Sequence, residues 1–500
     1  MFTTSRAGDA QNEGAAQLAG DGAYEARITV HLSRPRQTFF GVGGSLTQAS
    51  AAALSTLSPA KRQEVLEAYF GPAGAHYTLS RTHIASSDFS TESYQYVPDA
   101  DPSLDSFSIQ PDRDNGLLEL IHDARAVTGA DFRLIASPWS APAWMKDNGL
   151  LYDPKERCGG RLRREHHGTF ARYFVKYVQA YAAEGIPIWA ITPVNEPQGN
   201  AGNWESMDMS PEEQRDFVRV LGRTLAEAEL GPHVLIFDQN RRQLPAYTAA
   251  IYGDQEASRH AFGAAVHWYD STFKVYEDVL ETQHRLYPDK VIIHTEGTID
   301  GVADLRVYRE ACRAGSADAE RLTPWWQNDP WYWQKEATDW GWDWAPEEDE
   351  PDHPRYAPAF RYARDLVVGM GHFLAGWVDW NIVLDKGGGP NHVENWCLAP
   401  VMVDGDTDTV YYAPTFHILS QVSRFSRPGG VVLETTVDGV PEGVVAASIR
   451  NPDGTIAVHV FSEAAYDVDY VVVAGDRRVA ATSPSASLQT VVLDPRAAPA

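Results

Sequence analysis

Two glutamates in this chain have the setting that acid/base and nucleophilic chemistry at one bond would need. Glu196 ends the run IWAITPVNE (188–196) and is followed at once by Pro197, which stiffens the turn; Glu296 sits in VIIHTEG (291–297), one hundred residues later. Two carboxyls held about 5 to 5.5 Å apart can cleave a glycosidic bond with retention, one protonating the leaving oxygen and the other attacking the anomeric carbon. Neighbouring residue types divide the roles. Asn195 offers an amide to a sugar 2-hydroxyl beside Glu196, Tyr269 in HWYD (267–270) can hydrogen-bond the Glu296 carboxylate, and Arg81 in YTLSRTHIA (77–85) can keep that carboxylate ionised by charge proximity. Glu196 is therefore assigned as acid/base and Glu296 as nucleophile.

Such a pair works only if something brings the two together. Between residues 38 and 381 a short β-branched or apolar run breaks off into polar, aromatic or glycine residues eight times: 38–47, 77–85, 132–140, 188–196, 234–240, 263–270, 291–297 and 376–381. Helix-like stretches with apolar residues at helical spacing lie between them, among them 58–70, 168–185 and 210–230, and Ser58 and Ser210 stand as N-caps before a proline. Strand then helix, repeated eight times, predicts an α/β fold of the (β/α)8 barrel type, with the run endings converging on one mouth. Glu196 then lies at the fourth ending and Glu296 at the seventh.

After Asn381 the pattern changes to alternation, in 443–450, 455–462, 466–474 and 487–494, with NPDG (451–454) as a hairpin turn; YEARITVHLS (24–33) alternates in the same way. The expected organisation is a disordered leader over 1–23, a β-sandwich side domain from 24–36 and 410–500, and a catalytic barrel over 37–409. A Trp-rich acidic insert at 325–354 is read either as a cap packed on the barrel rim or as the wall of a sugar subsite.

With 68 acidic and 42 basic residues the net charge is -26, which repels phosphate backbones and anionic headgroups, so nucleic acid is not an expected partner. No apolar run is long enough to span a bilayer, so no stable membrane insertion is expected, and the N-terminus does not read as a secretory signal, which points to the cytoplasm. Cys158, Cys312 and Cys397 are odd in number and widely spaced, and read as reduced thiols. Fifteen Trp and 22 Tyr suit the stacking faces of sugar rings, although cores use aromatics too.

The order GGSLTQA (43–49), ASSDFS (85–90), ASPWSAPAWMK (136–146), NEP (195–197), HWY (267–269), TEG (295–297), GWVDWN (376–381) and GGPN (388–391) resembles glycoside hydrolase family 30, in its glucosylceramidase branch, over about residues 36–494. The resemblance implies a barrel with a β-sandwich built from both termini, and double displacement with Glu196 and Glu296. It also implies Asp88, Trp139, Asn195, Tyr269, Trp380 and Asn395 around a β-glucosyl unit, Arg81 and His267 in support, and neither cofactor nor metal. Gln48 stands where that branch usually carries Asp, and Asp270 where it carries an apolar residue. Both departures point away from a lipid aglycone and toward an oligosaccharide.

The expected function is therefore a retaining β-glycoside hydrolase on β-D-glucosides, an exo-acting β-glucosidase or β-1,6-glucanase. The alternatives are a glucosylceramidase, a β-xylosidase or β-fucosidase, and, more remotely, a catalytically silent carbohydrate-binding protein. Other signals read blandly. Glu165, His166 and His167 lack metal-ligand spacing, Asp404, Asp406 and Asp408 lack the rest of a calcium loop, and Gly387–Gly389 opens no phosphate-binding helix.

Overall fold

A computed structural model describes residues 1–18, 24–129, 132–156, 158–198, 202–271, 273–300, 330–333, 357–395, 397–439 and 443–494. Eight strands close into a barrel in chain order: β1 Val42–Ser45, β2 Leu79–Ile84, β3 Arg133–Pro138, β4 Ala190–Ile191, β5 His233–Asn240, β6 Ala261–His267, β7 Val291–Glu296 and β8 Leu374–Asn381. All eight pairings, including β8 with β1, are parallel. Each of the eight sequence runs supplies one strand. The barrel interior is packed by a ring of buried apolar residues, one or two per strand from β2 to β8: Leu79, Ile135, Ala190, Leu235, Ala265, Ile293, Ala375 and Val378. Above this layer the inward positions turn polar, and that is where the candidate residues lie.

The helices follow the caps read from the sequence. Pro59–Phe70 begins after Ser58, whose hydroxyl accepts from the Lys61 amide, and Pro211–Glu227 begins with a full capping box between Ser210 and Glu213. His167–Ala183 follows a short 3-10 turn at Arg164–His166, so Glu165, His166 and His167 lie at a helix start. The tightest approach in the barrel is between β1 and β2, where a Cβ placed on Gly43 would lie 1.3 Å from the Leu79 carbonyl oxygen.

The side domain is one ten-stranded sheet folded over on itself. Its order begins with Asn12–Glu13, Phe2–Ser5, Ser487–Leu493, Ile456–Ser462 and Val444–Arg450, and continues with Val431–Asp438, Ala26–Thr38, Val468–Ala474, Arg477–Ser483 and Gln17–Leu18. Four strands separate Ser487–Leu493 from Val468–Ala474, yet the Tyr470 hydroxyl donates to Gln489 Oε1 at 2.8 Å, so the two ends of the sheet face each other as a sandwich. Ile28, Val30, Val458, Val460, Tyr470, Val472 and Val491 fill the space between them.

Two expectations about the chain ends are corrected. The leader is not unstructured among its described residues: Phe2–Ser5 pairs with Ser487–Thr490, and Thr4 Oγ1 donates to Gln421 Oε1 at 2.6 Å. Its two consecutive threonines and a serine form an inner strand, between Asn12–Glu13 and Ser487–Leu493, that polar composition alone disguised. Residues from 410 do not all belong to the side domain either. Thr409–Tyr412 pairs with Val401–Asp404, and the helix Pro414–Phe425 buries Ile418, Leu419 and Val422 in the large cluster that holds the barrel core. That helix joins the layers, with Gln421 Nε2 donating to the Leu488 carbonyl and Thr490 Oγ1. Of the Trp-rich insert, only 330–333 is described. Tyr332 and Trp333 are buried there, and Trp333 packs edge-on to Phe360; the rest of the insert, and Cys312, lie outside the described residues.

Replacing Gly43 with alanine is expected to cost about 3 kcal/mol or more, because the methyl would meet backbone rather than a yielding side chain. Thermal denaturation of Gly43→Ala checks this, and an unchanged midpoint would show that the strands can part.

Candidate active site

Asp238, near the end of β5, organises the polar layer. Its side chain is fully buried and accepts five hydrogen bonds. Oδ2 takes Arg81 Nη2 at 2.8 Å, Ser137 Oγ at 2.9 Å and Thr192 Oγ1 at 2.7 Å; Oδ1 takes His267 Nε2 at 3.0 Å and Thr295 Oγ1 at 2.7 Å. Burial alone would push this carboxyl up, but the Arg81 charge and the His267 and Thr295 hydrogen bonds hold it far below the usual carboxylate range. A carboxylate so placed fixes two cations, and those cations hold the two glutamates.

Arg81, fully buried on β2, reaches both glutamate strands. Its Nη1 donates to Glu296 Oε2 at 2.5 Å, and its Nη2 also donates to Asn195 Oδ1 at 2.7 Å. Tyr269 donates its hydroxyl to the other oxygen, Glu296 Oε1, at 3.0 Å. Burial pushes the Glu296 carboxyl upward and the Glu196 charge adds to this, while His267 and Arg81 pull the other way; the net direction is upward. Its two oxygens thus receive one charged and one neutral donor, as the residue types beside it predicted.

Glu196 is held differently. It has a left-handed backbone, with φ of 47°, just before Pro197, and its amide donates to the Asp238 carbonyl at 3.0 Å. Its Oε1 lies 3.1 Å from His267 Nδ1. Both ring nitrogens of His267 therefore face carboxyl oxygens, Asp238 on one side and Glu196 on the other, an arrangement in which both can donate. Burial lowers the His267 pKa, but the Glu296 charge and the hydrogen bonds to Asp238 and Glu196 outweigh it and raise it to about 9. The Glu196 side chain keeps 16% exposure against 8% for Glu296, so it is the carboxyl nearer solvent.

Ligand atoms of Glu196, His267 and Glu296 lie within 4.8 Å of one another. The spacing would suit a cation, but His267 has no lone pair to give while both nitrogens donate, and Arg81 already neutralises Glu296. The trio instead sets the Glu196 and Glu296 carboxyls facing one small space beside His267, close enough for both to reach one bond.

The remaining predicted residues surround this pair. Trp139 and Trp380 stack with ring centroids 5.2 Å apart, and the Arg81 guanidinium lies 4.9 Å from the first ring and 5.7 Å from the second. Asn395 Nδ2 donates to Asp88 Oδ2 at 3.0 Å, while Asp88 Oδ1 is buried without a partner among the described residues. Burial, with the charges of Glu296 and Glu196, drives the Asp88 carboxyl well above its ordinary range. An orphaned buried oxygen held near the two glutamates is what a sugar hydroxyl would satisfy.

All ten predicted residues thus fall in one connected region. The sequence reading missed Asp238, Ser137, Thr192 and Thr295, although Asp238 is the one acid in the run VLIFDQN and marked the fifth strand ending. Asp404 ends the strand Val401–Asp404 and is buried, Asp406 lies in the turn after it, and they pair with Lys386 at 2.9 and 3.4 Å, so the expected solvated turn holds for Asp406 and not for Asp404. Gln48, the departure after GGSLT, is buried and its Oε1 accepts from the Thr91 amide, tying two mouth loops together.

The model of the glycosyl hydrolase family 30 TIM-barrel domain matches residues 39–321 and 336–426. The chain belongs to glycoside hydrolase family 30. It is an enzyme of that class, a glycoside hydrolase, and the sequence resemblance to family 30 holds. Mouse lysosomal acid glucosylceramidase is 30% identical over 446 residues, covering 88% of this chain and 78% of that protein. An endo-1,6-β-D-glucanase of Aspergillus fumigatus is 26% identical over 507 aligned positions, covering 96% and 90%. The solved endo-β1,6-glucanase BT3312 superposes with a TM-score of 0.79 at 25% identity, over 98% of each chain. Among the described residues no helix is long and apolar enough to cross a membrane.

The raised pKa of His267 adds stability that is fully present below about 6.5 and is lost as pH rises through about 9. Thermal midpoints of the parent protein are therefore expected to fall more steeply over that window than those of His267→Gln; parallel curves would contradict the imidazolium assignment. Asp238→Ala strands two buried cations and is expected to cost about 3 to 5 kcal/mol and to reduce kcat at least a hundredfold, read by denaturation and by aryl glucoside turnover.

Proposed function

We propose that this family 30 enzyme hydrolyses β-D-glucosides with retention, with Glu296 as nucleophile and Glu196 as general acid/base, and that its substrates are β-1,6-linked gluco-oligosaccharides from which it releases glucose. The observation that carries the mechanism is the pair of carboxyls with ligand atoms within 4.8 Å, one braced by Arg81 and Tyr269 and the other set toward solvent. Glu296 would attack the anomeric carbon as Glu196 protonates the departing oxygen, leaving a covalent glucosyl ester. Glu196 would then take a proton from water as water cleaves that ester. Arg81 and Tyr269 keep the nucleophile ionised and aimed in the first step and stabilise it as a leaving group in the second.

The glucosyl assignment rests on Asp88, Asn395 and the Trp139–Trp380 stack, which offer hydroxyl partners and ring faces together. The endo-1,6-β-glucanases among the relatives support a β-1,6-glucan substrate. A second reading, glucosylceramide, is favoured by the 30% identity to the mouse lysosomal enzyme. Gentiobiose and longer β-1,6-oligomers assayed beside glucosylceramide in detergent separate the two. Glucose from the oligomers alone is the expected result, and turnover of the lipid alone would reverse the assignment.

The first-formed sugar is expected to be the β-anomer by proton NMR, and an α-anomer would mean inversion. Glu296→Gln is expected to lose turnover of every substrate by at least about 10⁴-fold. Glu196→Ala is expected to keep activity on aryl glucosides with good leaving groups and to be partly restored by azide. The opposite pattern would exchange the two roles.

A further inference from the structure

Three mouth loops meet at a charged contact away from the two glutamates. Glu205, in the loop after β4, is almost fully buried, and its Oε1 accepts from Ser86 Oγ at 2.8 Å and Ser93 Oγ at 2.6 Å, both in the loop after β2. The same oxygen lies 3.3 Å from Nε2 of His392, in the loop after β8. On its other side His392 Nδ1 lies 2.8 Å from the Ser90 carbonyl oxygen, and the His392 amide donates to that carbonyl at 2.9 Å. A carbonyl can only accept, so Nδ1 carries a proton; Nε2 then faces a carboxylate, and a lone pair there would be repelled. At 3.3 Å and off the line of a hydrogen bond, the pair is held by charge, and that needs an imidazolium.

Its place gives the contact a task. Ser90 lies two residues beyond Asp88, and His392 three residues before Asn395, the two residues whose side chains meet at 3.0 Å in the proposed sugar site. The loop between His392 and Asn395 is braced internally. Asn391 Nδ2 donates to the Asn395 carbonyl at 2.7 Å, and the Asn395 amide donates to Asn391 Oδ1 at 3.0 Å. A shift at His392 is therefore carried to Asn395 rather than absorbed.

We propose that His392, held as an imidazolium between Glu205 and the Ser90 carbonyl, is a positioning residue that seats Asn395 against Asp88 and so sets the affinity of the sugar site. This rests on the reading of Asp88 and Asn395 as sugar ligands. The charged groups around the contact are Glu205 itself, Asp88 from the loop after β2, and Lys146 from the loop after β3, whose Nζ donates to the Ser206 carbonyl beside Glu205 at 2.7 Å. Burial disfavours the charged imidazole, but its interaction with Glu205 outweighs it and raises the pKa; burial likewise disfavours the Glu205 carboxylate, and His392 with the Ser93 hydrogen bond more than offsets this. The contact is thus complete below about pH 6.5 and is lost as pH rises through the raised value.

The test uses phenyl 1-thio-β-D-glucoside, which binds without turnover, and calorimetry at pH 6 and pH 8, below the range in which His267 loses its proton. The parent protein is expected to bind more weakly at pH 8. His392→Gln is expected to bind about tenfold more weakly at pH 6 and to lose the pH dependence, while its kcat on an aryl glucoside stays within about twofold, so that KM alone moves. Glu205→Gln removes the charge that demands the second proton and is expected to abolish the pH dependence as well. Hydrogen exchange of 386–395 at pH 6 is read in parallel and is expected to be faster in His392→Gln. Unchanged affinity, pH dependence and exchange in both variants would overturn the proposal. If the parent does not bind the thioglucoside, the sugar-site reading fails, and exchange in 386–395 still decides whether His392 holds the loop.

Discussion

A carboxylate taken fully out of water must be paid for by donors, and Asp238 has five of them. Alone at that depth it would be protonated or would unfold the site; with Arg81 and His267 it is the most strongly ionised acid in the site. Everything that matters for chemistry hangs from that arrangement. Arg81 cannot hold Nη1 on Glu296 and Nη2 on Asn195 unless Asp238 anchors that same Nη2, and His267 cannot present a proton to Glu196 unless Asp238 fixes its far nitrogen. Two glutamates, one just beyond β4 and one at the end of β7, are thereby given unlike surroundings by one shared counter-ion system.

The barrel supplies the frame for this. A packed apolar ring through β2–β8 gives the layer above it a rigid floor, and the tight approach at Gly43 closes β1 onto β2, where Arg81 lies. The side domain acts at a distance, through helices rather than through the mouth. Gln421 ties the helix after β8 to the sheet, and Arg364, in the preceding helix Pro358–Gly371, pairs with Glu463. Both chain ends are drawn into that sheet, so the closing strand of the barrel is backed by the most distant segments of the chain.

How much of this was legible in sequence depended on the kind of signal. The strands were visible because an apolar run ending in polar or aromatic residues marks a barrel strand and its mouth, and Glu196, Glu296, Arg81 and Tyr269 were visible because their chemistry is unusual at such endings. Asp238 stood in the same kind of ending and was passed over. A lone acid in a run reads as a cap until the arginine and histidine that surround it in space are known, and those come from strands far apart in sequence. Phe2–Ser5 was misread for a related reason: a short polar strand has no periodicity of its own and is made by its partner, Ser487–Leu493. The apolar face of the helix Pro414–Phe425 says that it packs, not against what, and it lies between the barrel and the sheet. The His392–Glu205 contact carried no local signal at all.

The central claim is that Glu296 is the nucleophile of a double displacement, and covalent trapping examines it most directly. A 2-deoxy-2-fluoro-β-D-glucosyl fluoride slows both steps by destabilising positive charge at the anomeric centre, but its good leaving group lets the first proceed, so the intermediate accumulates. Mass spectrometry of the protein after incubation, followed by peptide mapping, is predicted to show a single fluoroglucosyl adduct on Glu296 that disappears on removal of excess reagent. An adduct on Glu196 or any other residue, or steady turnover of ordinary β-glucosides with no adduct formed, would contradict the account.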